Sequence, residues 1–371
     1  MKITGIEIIH VRPRFSFLKM STDEGIVGYG EAIVEGRSRT VEMAVHELKP
    51  HLIGQDPRRI EHLWQLMYRG TFYRGGPILT SAISGLEQAM WDILGKSLGV
   101  PVYQLLGGAV RDRIRMYKHI GGDTPEEVYA SAAQAVKEGF TMVKTALPVA
   151  RTLEPPYYIE RQAERMEAIR QAIGPKVDFG VDFHGRISPA LAIQLAKQFE
   201  PFRPIFIEEP CLPENVDTMA TIARSTVIPI ATGERLFTKW AFRDVLNKQA
   251  AAVLQPDLAH CGGILEGKKI AAMAETYYAA IAPHNPLGPV NLAASIQLAA
   301  NVPNFLAQEQ VELGEKLLKC PFVIQDGYIS VPTAPGLGIE LREDALEELR
   351  YEGDYDLPRE FHADDGSVAD W

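Results

Sequence analysis

The sequence predicts an α/β protein, a TIM-type (β/α)₈ barrel preceded by an α+β block. Three observations carry this. Eight short apolar runs alternate with helical patterns between Arg113 and Glu309. Each run carries a polar or charged residue at or near its C-terminal end, where barrel chemistry sits. The first hundred residues lack this alternation and read as hairpin-linked strands followed by amphipathic helices.

The elements follow in order. ITGIEIIHV, FSFLKMST and IVGYGEA form an antiparallel meander, with a turn at Asp23-Glu24-Gly25. The run Gly25 to Glu31 resembles a glycine-rich phosphate loop, yet it does not join a strand to a helix and reads as hairpin. AISGLEQAMWDILGKSLG is helical and stops at Gly99. The eight barrel strands are RMYKHI, TMVKTAL, VDFGVDF, IFIEEP, IPIATGE, AAVLQPDL, AAIAPHN and FLAQEQ. Between them, Thr124-Pro125-Glu126-Glu127 supplies an N-cap, a proline at the first helical position and a capping-box glutamate. Ser188-Pro189 opens the helix after VDFHGR in the same way. After Glu309 no further βα unit appears, and the tail is expected to pack back on the first block. The expected divisions are 1–112, 113–325 and 326–371.

Composition narrows the class. The chain has 371 residues, 46 % apolar and 23 % charged, which suits a soluble enzyme with a large core. A formal net charge of −10 argues against nucleic acid and anionic membranes. Cys211, Cys261 and Cys320 lack metal-ligand spacing and read as reduced thiols. The N-terminus carries no apolar signal region, and no run reaches the roughly 20 apolar residues a membrane helix needs. The expected compartment is the cytoplasm.

The strand ends carry the chemistry. Asp182, Glu208 and Glu234 are spaced by 26 residues, one βα unit, so three carboxylates converge at the barrel mouth. Such anions repel unless a cation sits among them, and an all-oxygen set favours Mg²⁺. Asp257 and His284 lie on adjacent strands, where the carboxylate would orient the imidazole as a general base. His184, two residues after Asp182, should leave the strand on the same face and can serve as a general acid. Glu309 would contact the substrate carboxylate, most usefully as a protonated donor. His119 and Lys144 stand where they could line the mouth or serve only as structural residues. FYRGG, Phe72 to Gly76, reads equally as a flap or a helix-ending turn. Two imidazoles, a metal and a carboxylate suit removal of a proton next to a carboxylate and loss of the neighbouring hydroxyl.

VDFHGR, FIEEP, TGERLF, QPDLAHCGGI, APHNPLGP and QEQ resemble the strand-end motifs of the galactonate dehydratase family. That family falls in the mandelate racemase subgroup of the enolase superfamily. The resemblance runs from MKIT through TDEGIVGYGE, EGRSRTVE, YRGGPIL and PGLGIE to the terminal SVADW. It implies a (β/α)₇β barrel capped by both termini, and Mg²⁺ on Asp182, Glu208 and Glu234. It implies the Asp257–His284 pair as base, His184 as acid and Glu309 beside the substrate carboxylate. Lys144 and the capping segments around Phe17 and Tyr73-Arg74 would bind substrate. An acid-sugar substrate and a homo-oligomer, with an octamer as one form, are implied as well.

Two departures concern the substrate. Lys144 is not followed by the family's Asn but by TALPVARTLEPPYY, and VELGEKLLKC follows QEQ. Arg151, Tyr157 and Tyr158 could replace the distal contacts, as in mannonate dehydratases. Competing readings are a racemase or epimerase, a dehydratase of gluconate, mannonate or another aldonic or aldaric acid, a metal-dependent hydrolase, and a non-catalytic sugar-acid-binding scaffold. The racemase is disfavoured because strand two, Lys144-Thr145-Ala146, lacks a second lysine.

Overall fold

In the computed structural model, residues 1–148, 157–353 and 365–368 are described. The N-terminal block opens with β1 (Ile3–Val11), β2 (Phe15–Thr22) and β3 (Val27–Glu31), an antiparallel sheet in that order. Gly25, at φ 76°, makes the tight turn between β2 and β3. Helices α1 (Ser38–Leu52), α2 (Ile60–Arg69), α3 (Pro77–Leu98) and α4 (Val102–Leu105) follow. Gly99 ends α3 in the left-handed conformation at φ 70°. The glycines of the Gly25 to Glu31 run are explained by packing. A Cβ at Gly28 or Gly30 would strike the α3 backbone at Ala89 or Gly85, so the strand and helix meet backbone to backbone.

A short strand, β4 (Arg113–Arg115), starts the second half, and the parallel barrel follows. Its staves are β5 (Lys118–His119), β6 (Met142–Ala146), β7 (Asp178–Asp182), β8 (Phe206–Glu208), β9 (Ile230–Thr232), β10 (Val253–Leu254) and β11 (Ala280–Ile281). Between them run α5 (Pro125–Lys137), α6 (Tyr158–Ile173), α7 (Pro189–Phe199), α8 (Val216–Ala223), α9 (Thr238–Asn247) and α10 (Gly263–Thr276), and α11 (Pro289–Asn301) follows β11. The segment 304–309 closes the ring as the eighth stave, through parallel bridges from Phe305 to Ile281 and from Gln308 to Met116. All eight predicted strands therefore lie in the barrel. Thr124 and Ser188 cap α5 and α7 as expected, the former with the full capping box.

The lumen below the mouth is filled by Tyr117, Met142, Phe206, Ala231, Val253, Ala282 and Ala307, from seven of the eight staves. The remaining stave, β7, offers Gly180 at this level, and a Cβ there would fall 2.5 Å from the Phe206 ring. The barrel is thus a packed plug with chemistry confined to one end. In the tail, β12 (Tyr328–Ser330) pairs antiparallel with β4. Beyond it, α12 (Glu343–Glu348) reaches the first block, where Glu343 accepts hydrogen bonds from Lys19 and Tyr29.

Candidate active site

The strand ends converge on one cavity of about 820 Å³. Asp182 ends β7, Glu208 ends β8, and Glu234 stands two residues beyond β9. One carboxylate oxygen from each lies within 4.8 Å of the others. Burial, then the charge of Asp182, raises the carboxyl of Glu208. Burial also lifts Glu234 well above the usual range; His284 pulls it down, while Glu209, Asp182 and Glu208 push it up. Glu208 Oε1 is buried without a hydrogen-bond partner among the described residues. An orphaned carboxylate oxygen among converging hard donors fits a divalent cation, which would relieve both the repulsion and the missing bond.

The sixth and seventh staves position an imidazole. Asp257 Oδ2 accepts from His284 Nδ1 at 2.8 Å, so the ring presents Nε2 to the cavity. Asp257 Oδ1 is itself held by the Ala259 amide at 2.8 Å and Asn291 Nδ2 at 2.9 Å, which fixes the carboxylate and hence the ring. Burial works against charge on His284, but Glu234, Glu309 and Asp257 outweigh it and raise its basicity well above the ordinary histidine value.

His184 reaches the cavity by a different route from strand alternation. It lies just past β7 with φ 51°, and its amide donates to Asp182 Oδ1 at 2.8 Å. This turn brings its Nε2 to 3.3 Å from Asp182 Oδ2. Burial depresses His184 to about 4. His184 and His284 stand four staves apart in an eight-stave ring, on opposite sides of the mouth.

Glu309 departs from the expected protonated donor. Burial would raise its pKa, but Lys144 at 3.0 Å, His284 at 3.8 Å and His119 at 2.7 Å hold it as a carboxylate well below the usual range. The Asn285 amide also donates to Oε2 at 2.8 Å. Lys144 lines the cavity, but its ammonium is tied to Glu208 at 2.9 Å, Asp182 at 3.5 Å and Glu309 at 3.0 Å.

The capping residues expected to touch substrate require correction. Phe17 is fully buried, stacked on Phe15 at 6.0 Å, and does not line the cavity. Its strand faces α3 and the barrel, so both aromatic rings serve the core. Tyr73 is 85 % exposed, and neither it nor Arg74 lines the cavity. Tyr157 is exposed, Tyr158 is buried with its hydroxyl donating to the Pro148 carbonyl, and Arg151 lies outside the described residues. Instead the N-terminal block contributes Arg14 and Glu35. Arg14 donates to the Pro286 carbonyl at 2.5 Å. Glu35 faces His260 at 3.7 Å; burial opposes its charge, but His260 holds it at about 2. His260 Nδ1 is in turn 3.0 Å from the Ser81 hydroxyl, so the histidine beside Asp257 is gripped by the first block. No spacing in the sequence joins residues so far apart, although the histidine in QPDLAHCGGI, at a strand end, was a usable signal.

An eight-stave barrel with convergent acids, an aspartate–histidine pair and an α+β cap defines the enolase superfamily architecture. The chain belongs to the mandelate racemase/muconate lactonizing enzyme family: that family's N-terminal domain matches residues 9–107, and the enolase C-terminal domain-like family matches residues 127–345. Within the family, its relatives include the D-galactonate dehydratase of Ralstonia nicotianae, 48 % identical over 383 aligned positions and covering all of both chains. The D-galactonate dehydratase of Pectobacterium atrosepticum is 47 % identical, again over the whole of both. Among solved structures, a mandelate racemase/muconate lactonizing enzyme from Sulfitobacter sp. matches with a TM-score of 0.91 and 38 % identity, over 95 % of this chain and 96 % of that one.

Proposed function

We propose that the protein is a sugar-acid dehydratase, a hydro-lyase that converts D-galactonate to the 2-keto-3-deoxy acid with Mg²⁺ as cofactor. The observation that carries this reading is the pair of imidazoles, His284 and His184, on opposite sides of a mouth that also holds the Asp182, Glu208 and Glu234 cluster. The full-length likeness to D-galactonate dehydratases names the substrate.

Mg²⁺ held by Asp182, Glu208 and Glu234 would neutralise the substrate carboxylate and the negative charge that develops on it. With Glu234 committed to the cation its pull on His284 would be lost, and the neutral Nε2, oriented by Asp257, takes the proton from C2. The electron pair left on C2 forms the C2–C3 double bond as the C3–O bond breaks. His184, neutral in the free protein, takes up a proton when the anionic substrate enters and gives it to the departing hydroxyl, which leaves as water. The resulting enol gains a proton at C3, loses the proton of its C2 hydroxyl as the carbonyl forms, and becomes the keto acid. Lys144 keeps a positive charge beside the reacting carboxylate, and Glu309 holds Lys144 in place. In this reading residues 1–112 and 326–371 cap the site, and 113–325 carry it. The enzyme acts as a homo-oligomer in the cytoplasm; no helix among the described residues is long and apolar enough to cross a membrane.

Purified protein with Mg²⁺ and D-galactonate should form 2-keto acid, and EDTA should abolish it. D-galactonate left unchanged while another aldonic acid reacts would move the substrate; no keto acid from any sugar acid would sink the dehydratase reading.

A further inference from the structure

The proton transfers above use two imidazoles, yet two more line the same cavity: His260, held by Ser81 and Glu35, and His119. His119 ends β5 and is paired in register with Lys144 on β6, so both side chains point to the mouth from adjacent staves. Its Nε2 lies 2.7 Å from Glu309 Oε1. Its ring rests edge-on against Tyr117, with centroids 5.7 Å apart. The side chain is nevertheless 42 % exposed to the cavity.

The neighbouring groups have no capacity to spare. The Lys144 ammonium has three protons and faces three carboxylates. Glu309 Oε1 serves Lys144 and His119, and Oε2 accepts from the Asn285 amide. Tyr117 Oη and Glu208 Oε1 also lack partners but are buried, whereas His119 is open to the cavity, and among the described residues its Nδ1 has no hydrogen-bond partner. The carboxylate at Nε2 selects the tautomer with its proton there, and in that tautomer Nδ1 is an acceptor. β5 lies four staves from β9, across the mouth from Glu234. A chain anchored by its carboxylate on the Glu234 side of the cluster would extend across the mouth toward His119.

We infer that His119 is a substrate-binding residue whose Nδ1 accepts a hydrogen bond from a distal hydroxyl of the sugar acid, with Glu309 and Tyr117 fixing the ring. The inference rests on the dehydratase reading for its substrate class. It supplies a distal contact from strand one, while the asparagine expected after Lys144 on strand two is missing. A site built to bond one hydroxyl rejects the epimer that cannot reach it, because the polar group is left unpaired.

The test is calorimetric binding of sugar acids to the Mg²⁺-loaded His284→Asn protein, which cannot turn them over. Adding His119→Phe should weaken D-galactonate binding roughly tenfold or more. Mg²⁺ affinity should stay unchanged, and aldonic acids differing at distal hydroxyls should lose unequally. His119→Asn, which keeps a polar atom, should restore part of the affinity. Unchanged binding in His119→Phe would overturn the inference. So would an equal loss for every sugar acid together with weaker Mg²⁺ binding, which would make His119 a prop for Glu309. Wild-type protein inert toward every sugar acid sinks the dehydratase reading instead; failure of every sugar acid to bind the His284→Asn protein sinks this one.

Discussion

Two substitutions separate the roles assigned to single residues. His284→Asn keeps a polar side chain beside Asp257 but removes the base, so kcat should fall about 10²–10⁴-fold, the usual contribution of a positioned acid–base group. Mg²⁺ binding, measured by calorimetry, should stay near wild type; wild-type turnover would remove His284 from the chemistry. Glu234→Gln takes one anion from the cluster and should weaken Mg²⁺ binding by at least about tenfold, since even supporting residues around a metal cost that much. Unchanged affinity would exclude it as a ligand. These residues were legible in the sequence because equal spacing and strand ends are one-dimensional signals. Phe17 was misread because its strand's burial is decided by α3 and the barrel, which the local pattern does not contain. His119 was visible as a candidate, but its bond to Glu309 joins the first and last staves and exists only once the ring closes.

At the scale of elements, the first block completes the starts of two barrel helices. Glu31, at the end of β3, accepts from the Gly288 amide at 2.8 Å and the Asn291 amide at 2.9 Å, where α11 begins. Glu87, in α3, accepts from the Ile264 and Leu265 amides at 2.8 Å, where α10 begins. Each carboxylate does from another part of the chain what an N-cap residue does locally. The cap serine or aspartate expected at those starts is absent, and Gly262 and Gly288 stand in its place. Burial pushes Glu31 up to about 8, with the two backbone amides pulling the other way. A carboxyl raised on folding stabilises fully below its unfolded value, and that contribution is lost as pH rises through about 8. Glu31→Gln removes this titration and sets an amide NH₂ against a backbone N–H, costing about 1–3 kcal/mol for the unpaired group. Thermal melts across pH 5–9 should show a lower midpoint for the variant and a flatter loss of stability between about pH 4.5 and 8. Parallel curves for the two proteins would assign the pH dependence elsewhere.

Over the whole molecule, the alternation of strand and helix was enough to read the barrel, and the hairpin pattern enough to read the first sheet. What the pattern could not supply was the coupling between them. Asn291, which steadies Asp257, belongs to the helix that Glu31 starts, and Ser81 and Glu35 grip His260 beside the same aspartate. The tail is shared in the same way, with β12 on β4 and Glu343 on the first sheet.

The two carboxylates that start α10 and α11 also bear on how such a protein can be changed. A first block transplanted from a relative would bring new loops to the mouth, the obvious way to exchange substrates. Unless the donor carried acids matching Glu31 and Glu87, the host barrel would receive two open helix ends directly behind its base. Recombination between lineages is therefore constrained at buried seams remote from the sugar, and the two halves are best inherited together.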